Sequence, residues 1–129
     1  MLKINNPLSL RPSKDKWQGM IPSSVPGYIA FSGMDWGYRA GILNLITYFN
    51  LKLNSVSKIL YTWAPPKDGN DTEAYIKNVC SWTGYKRDQV LQPTESVLKS
   101  LAAAMSRQEN GVKADLNSLY RGYDLIKKK

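Results

Sequence analysis

Four of the seven prolines (Pro7, Pro12, Pro22, Pro26) and three of the nine glycines (Gly19, Gly27, Gly33) crowd into the first 34 residues. Proline has no amide hydrogen to give a helix and its ring clashes with the preceding turn, so this segment cannot be helical. Two short apolar pieces, Trp17 to Ile21 and Tyr28 to Phe31, flank Pro22-Ser23-Ser24-Val25-Pro26-Gly27. That spacing predicts a small β-hairpin or extended loop.

Beyond this segment the signals are helical. Asp35 is placed to cap a helix running to about Asn50, whose apolar residues lie almost all round, the pattern of a helix buried mid-domain. A second helix begins near Asn54 with Val56, Ile59, Leu60 and Trp63 on one stripe, and stops at Ala64-Pro65-Pro66. Asp71 caps a third, carrying Tyr75, Ile76, Val79 and Cys80 and closed by Gly84. Thr94 caps a fourth through Leu98, Leu101 and Met105 to Asn110-Gly111, and Asp115 opens a fifth that finishes in Lys127-Lys128-Lys129. The expectation is a single domain over residues 1–129, mainly α (α+β), with about five helices and a small N-terminal hairpin. A chain of 129 residues has room for one core.

The charge balance narrows the partners. Eighteen Lys and Arg against ten Asp and Glu leave +8, which suits an anionic partner such as nucleic acid, acidic lipid or a cell-wall polymer. One cysteine precludes an internal disulfide, and with no histidine there can be no His-ligated metal and no Ser-His or Cys-His pair. No metal and no cofactor is expected. The longest apolar-leaning stretch, residues 40–53, is too short and too interrupted to span a bilayer, so no membrane insertion is expected. The N-terminal segment lacks the apolar stretch of a secretory signal, which implies synthesis in the cytoplasm.

Any chemistry therefore rests on carboxylates, hydroxyls, Tyr, Lys or Arg. Glu109 shares a helical arc with Leu98, Leu101 and Met105, at the last turn. Partial burial and the negative end of the helix dipole both disfavour its anion, as a general acid for glycosidic cleavage requires. The alternative is a carboxylate that turns to solvent and pairs with Lys113. Asp35, Asp71 and Asp115 fit capping better than catalysis, although Trp36, Tyr38 and Arg39 around Asp35 keep it a candidate. Four Trp and eight Tyr against two Phe favour rings with polar handles, suited to sugar faces or bases. Trp36 and Trp63 sit on helical stripes and read as core; Trp17, in the irregular region, is the candidate ligand-facing ring.

Three segments together resemble a family of phage and prophage virion proteins with a lysozyme-like fold. Asn5-Asn6-Pro7-Leu8-Ser9-Leu10-Arg11, followed by Trp17-Gln18-Gly19, is similar to the family's Asn-Asn-Pro opening, with Ser9 in place of the usual Asn. Phe31 and Asp35-Trp36-Gly37-Tyr38-Arg39-Ala40 resemble its helix start, and Trp63-Ala64-Pro65-Pro66 with Asn70-Asp71-Thr72-Glu73-Ala74-Tyr75-Ile76 its Trp-Ala-Pro-Pro element. A more distant likeness is to bacterial glucosaminidases and lytic transglycosylases, whose catalytic Glu ends an N-terminal helix that leads into an Asn-rich turn. Here Leu101 to Gly111 resembles that helix, with Asn110 in place of the usual Ser, but stands near the other end of the chain. Circular permutation is the economical explanation.

The resemblance implies a phage-type protein that binds peptidoglycan glycan strands, or another anionic wall polymer, and cleaves the β-1,4 linkage. Glu109 would be the general acid and Asp35 the fallback base, with Asn6, Arg11, Trp17, Asp71 and Tyr75 as cleft residues. The hairpin holds no second acid, which points to a single-acid route through a positioned water or the sugar's own 6-hydroxyl. It would act in the virion, among other virion proteins, or at the host cell wall. The alternatives are a non-catalytic glycan-binding or structural virion module and, last, a basic nucleic-acid-binding domain.

Overall fold

The computed structural model describes residues 1–127, without the side chain of Lys127, so Lys128 and Lys129 of the expected basic tail lie outside the described residues. A 3₁₀ turn, Leu2–Ile4, leads to an antiparallel pair of two-residue strands, β1 (Met20–Ile21) and β2 (Ala30–Phe31), with Met20 opposite Phe31. Five helices follow: α1 (Met34–Asn50), α2 (Val56–Trp63), α3 (Thr72–Thr83), α4 (Glu95–Asn110) and α5 (Leu116–Lys127). The molecule is mainly α, with the small hairpin where the prolines demanded it. No helix of the described residues is long and apolar enough to cross a membrane.

Local chemistry starts and stops most of these helices. The side chains of Asp71 and Thr94 accept the Ala74 and Val97 amides as caps of α3 and α4, and Gly84 and Gly111 end those helices in the left-handed region. Asp115 accepts the Asn117 amide at 3.1 Å before α5. Ser55 caps α2, its hydroxyl accepting from the Lys58 amide, so the helix expected near Asn54 begins at Val56. One boundary differs from expectation. The cap position of α1 is Gly33, in extended backbone, and Asp35 lies one residue inside the helix, where its Oδ1 accepts the Trp36 amide at 2.9 Å. Its charge still favours the positive helix end, but it is not the cap.

α1 is the central post. Tyr38, Ile42 and Leu45 on it are at most 1% exposed and pack with Ile59, Ile76, Leu101, Met105 and Leu119 from the other four helices. Each such side chain contributes roughly 1.5–3 kcal/mol relative to exposure. Two glycines set how closely α1 is approached. A Cβ on Gly37 would lie 2.1 Å from the Asn5 carbonyl oxygen, and one on Gly122 of α5 would lie 2.6 Å from that of Asp35. A smaller cluster of Leu10, Ile29, Phe31 and Ala40, flanked by Trp17, Trp36 and Trp63, seals the hairpin onto α1.

On the surface, Glu73 accepts from both terminal guanidinium nitrogens of Arg87 and from the Tyr61 hydroxyl, tying α2, α3 and the α3–α4 loop together. These donors, Arg87 first, lower the Glu73 pKa to about 2 from its ordinary 4.5. Because the folded value is depressed, the contribution to stability is present above pH 4.5 and is lost as pH falls toward 2. Thermal melts between pH 2 and 6 should show a slope in that window that Glu73→Gln removes and high salt flattens, as befits an exposed group. A slope unaltered by that substitution would assign it to other carboxylates.

Candidate functional site

Glu109 is the half-buried acid at the last turn of α4. Its Oε2 accepts a hydrogen bond from the Tyr75 hydroxyl of α3 at 2.9 Å. Tyr75 is 5% exposed, and burial, then the charge of Glu109, push its pKa well above the ordinary phenol value. No hydrogen bond within the described residues engages Oε1, nor is it counted among the buried unpartnered atoms, so it reaches solvent. The expected alternative, pairing with Lys113, does not occur among the described ion pairs.

The turn that holds Glu109 is clasped to the N-terminal segment. The Asn110 side chain donates to the Pro7 and Ser106 carbonyls, both at 2.8 Å, and its Oδ1 accepts from the Met1 ammonium at 2.9 Å. The same ammonium donates to the Asn6 carbonyl at 2.6 Å. Burial lowers the Met1 amine pKa, and the Glu109 carboxylate partly restores it. The end of α4 therefore abuts the Asn-rich turn in space, although about 100 residues separate them in the chain.

A cleft of about 320 Å³ lies beside the hairpin, lined by Arg11, Asp15, Trp17, Asn44, Tyr48 and Trp63 among others. Arg11 also stands 5.4 Å over the Tyr28 ring, and Tyr48 and Trp63 meet edge to face at 5.6 Å. Rings for an apolar sugar face, beside a guanidinium, a carboxylate and an amide for its hydroxyls, suit a carbohydrate. Trp63 was expected in the core but is only half-buried and lines this cleft. Asn44 and Tyr48 were missed; their spacing of four on α1 was the available signal, masked by the apolar residues around them.

The other candidates are scattered. Asn6 is wholly buried: its amide donates to the Leu10 and Ile29 carbonyls at 2.9 and 2.8 Å, and its oxygen accepts from the Leu10 amide. It is a clasp between the N-terminal turn and Ile29, the residue before β2, and the expectation of a cleft-facing Asn6 is corrected by that burial. Asp71 is exposed, its Oδ1 on the Ala74 amide, beside an open depression shared with Lys77 and Cys80. No described hydrogen bond or ion pair joins Asp35 to Glu109. Arg39 is 7% exposed with its Nε unpartnered, 5.9 Å over the Trp36 ring, and burial lowers its pKa. Among the described residues no cluster of His, Cys, Asp or Glu could hold a metal ion.

No protein-family model matches the chain. Over 115 residues it is 35% identical to Protein P5 of Pseudoalteromonas phage PM2, an alignment covering 85% of this chain and 70% of that protein.

Proposed function

The chain belongs to the family of Protein P5 of Pseudoalteromonas phage PM2, and from that premise we propose that it is a virion-associated, lysozyme-like domain that cleaves peptidoglycan glycan strands. One observation carries the reading: a half-buried glutamate ends a helix, held on one oxygen by a buried tyrosine, and abuts the Asn-rich turn. A permuted lysozyme-like fold requires that adjacency, because an unpermuted chain would run from the catalytic helix directly into the turn.

The chemistry follows from the seat. In the reacting state Glu109 carries a proton on the solvent-facing Oε1, while Tyr75 holds Oε2 and fixes the plane of the carboxyl group. That proton passes to the glycosidic oxygen as the bond to the anomeric carbon breaks. Attack at that carbon by a water, or by the sugar's 6-hydroxyl, forms the new bond, and the displaced proton returns to Glu109. The hairpin supplies no second carboxylate for this step, and Asp35 is the fallback base that would activate the water. Tyr75→Phe removes the phenol that orients the acid, and its cleavage rate should fall about tenfold with the melting curve little changed. A rate equal to the wild type would take Tyr75 out of the mechanism.

A second reading has its own observation: Glu109 lines none of the three described cavities, and the ring-lined cleft lies at the hairpin. On this reading the chain grips glycan without cutting it. Cosedimentation with purified peptidoglycan should weaken by about tenfold in Trp17→Ala or Arg11→Ala, the loss expected for one stacked ring or one charged hydrogen bond. Unchanged cosedimentation of both variants would remove the cleft from glycan binding. Cleavage itself is tested by release of soluble muropeptides from purified peptidoglycan. Release by the wild type supports the first reading, and none, with cosedimentation intact, leaves the second.

A further inference from the structure

About half a turn round α4 from Glu109, a second groove of about 460 Å³ runs between α4, the end of α3 and α5. Its floor is made of small residues, Ser96, Ser100, Ala103 and Ala104, two to three turns of one helix face. Its rims are large and exposed: Trp82 on one side, Leu116 and Tyr120 on the other, between 37% and 50% accessible. Three cations line it, Lys99, Arg107 and Lys113, and no carboxylate does. Lys99 is paired with Glu95 and lies over the Tyr120 and Tyr123 rings. Arg107 stacks 4.3 Å over Trp82, and among the described residues neither it nor Lys113 makes an ion pair.

We infer that this groove docks an acidic amphipathic helix of a partner protein, its apolar stripe on Ser100, Ala103 and Ala104 and its carboxylates on Arg107 and Lys113. The small floor lets a second helix axis come within the roughly 8–10 Å of ordinary helix packing, and the aromatic rims close over its flanks. The two unpaired cations supply the complementary charge and select against a basic helix. A second copy of this chain fits poorly, since it brings a net +8 to a basic groove. A single nucleic-acid strand stacking here would compete with Arg107 and Lys99, each of which already covers one face of Trp82 or Tyr120. The surface is independent of glycan cleavage, for it lies on the opposite face of α4.

The test is fluorescence anisotropy of a labelled helix-forming peptide with a Leu/Ala stripe and Glu on its remaining face, titrated with the full chain. Saturable binding by the wild type is expected, weaker by at least about tenfold for the Gln counterpart of the peptide and for Arg107→Glu/Lys113→Glu. Ala103→Trp, which fills the floor, should lose as much, and circular dichroism shows whether its helices survive. Lys14→Glu/Lys16→Glu, which reverses the same charge in the exposed N-terminal loop, should bind as the wild type does. The inference is overturned if the wild type does not bind. It is overturned equally if the two double variants lose affinity alike, or if oligothymidylate displaces the peptide.

Discussion

Glu109→Gln is expected to lower muropeptide release by about 10²–10⁴-fold, the contribution of a positioned general acid. The amide matches the carboxyl group in shape, and its oxygen can still accept the Tyr75 phenol, so the local packing stays intact. What it lacks is a proton it can transfer. Cosedimentation with peptidoglycan and the melting temperature should therefore stay at wild-type values while turnover collapses. A Gln variant retaining half the wild-type rate would remove Glu109 from the chemistry. A fall in rate matched by a fall in melting temperature would make it a structural residue. The comparison with Tyr75→Phe adds a second check, because a residue that only orients the acid should cost less than the acid itself.

Asn6→Ala should be the most damaging of the polar truncations for the fold. It deletes three hydrogen bonds at a site with no exposure and strands the Leu10 amide and the Ile29 carbonyl. The Leu10 carbonyl keeps one partner, the Ile29 amide at 3.1 Å. Two orphaned backbone groups cost about 3 kcal/mol together, which lowers the melting temperature by roughly 10 °C in a domain of this size. Asn6→Asp should do no better, since it turns a double donor into a charge facing two carbonyls. Differential scanning calorimetry measures both. A loss under about 1 kcal/mol would mean that the apolar cluster of Leu10, Ile29 and Phe31 holds the hairpin by itself.

Much of the fold was legible along the chain. Asp71, Thr94 and Asp115 each bond amides within three residues, so their capping role is written in adjacent positions. Gly111 ends α4 for the same local reason. Asp35 shows the limit of that reasoning. A capping residue type stood near the right place, but the extended backbone at Gly33 begins α1 earlier and puts Asp35 inside the first turn. Of the candidate site, one placement was legible, that of a carboxylate at the last turn of α4. Its partner Tyr75 lies 34 residues earlier and reaches it only because α3 packs on α4. Trp63 misled for a related reason: one apolar stripe on α2 serves the core through Val56, Ile59 and Leu60, yet its last ring turns partly into the cleft. Asn6 misled in the opposite sense, since the residue type that would hold a sugar hydroxyl also satisfies two carbonyls inside a loop.

The amino-acid sequence by itself determined that there are five helices and roughly where each lies, which third of the chain could not be helical, and that histidine chemistry and an internal disulfide are precluded. Those properties depend on residue type or on bonds spanning four residues at most. Only the tertiary structure decided that the end of α4 meets the Asn-rich turn, that Tyr75 holds Glu109, and that Asn6 is sealed from solvent. Only it set Lys99, Arg107 and Lys113 around one groove. Such contacts join residues tens of positions apart, and close packing around α1, with Gly37 and Gly122 permitting the approach, selects which of them meet.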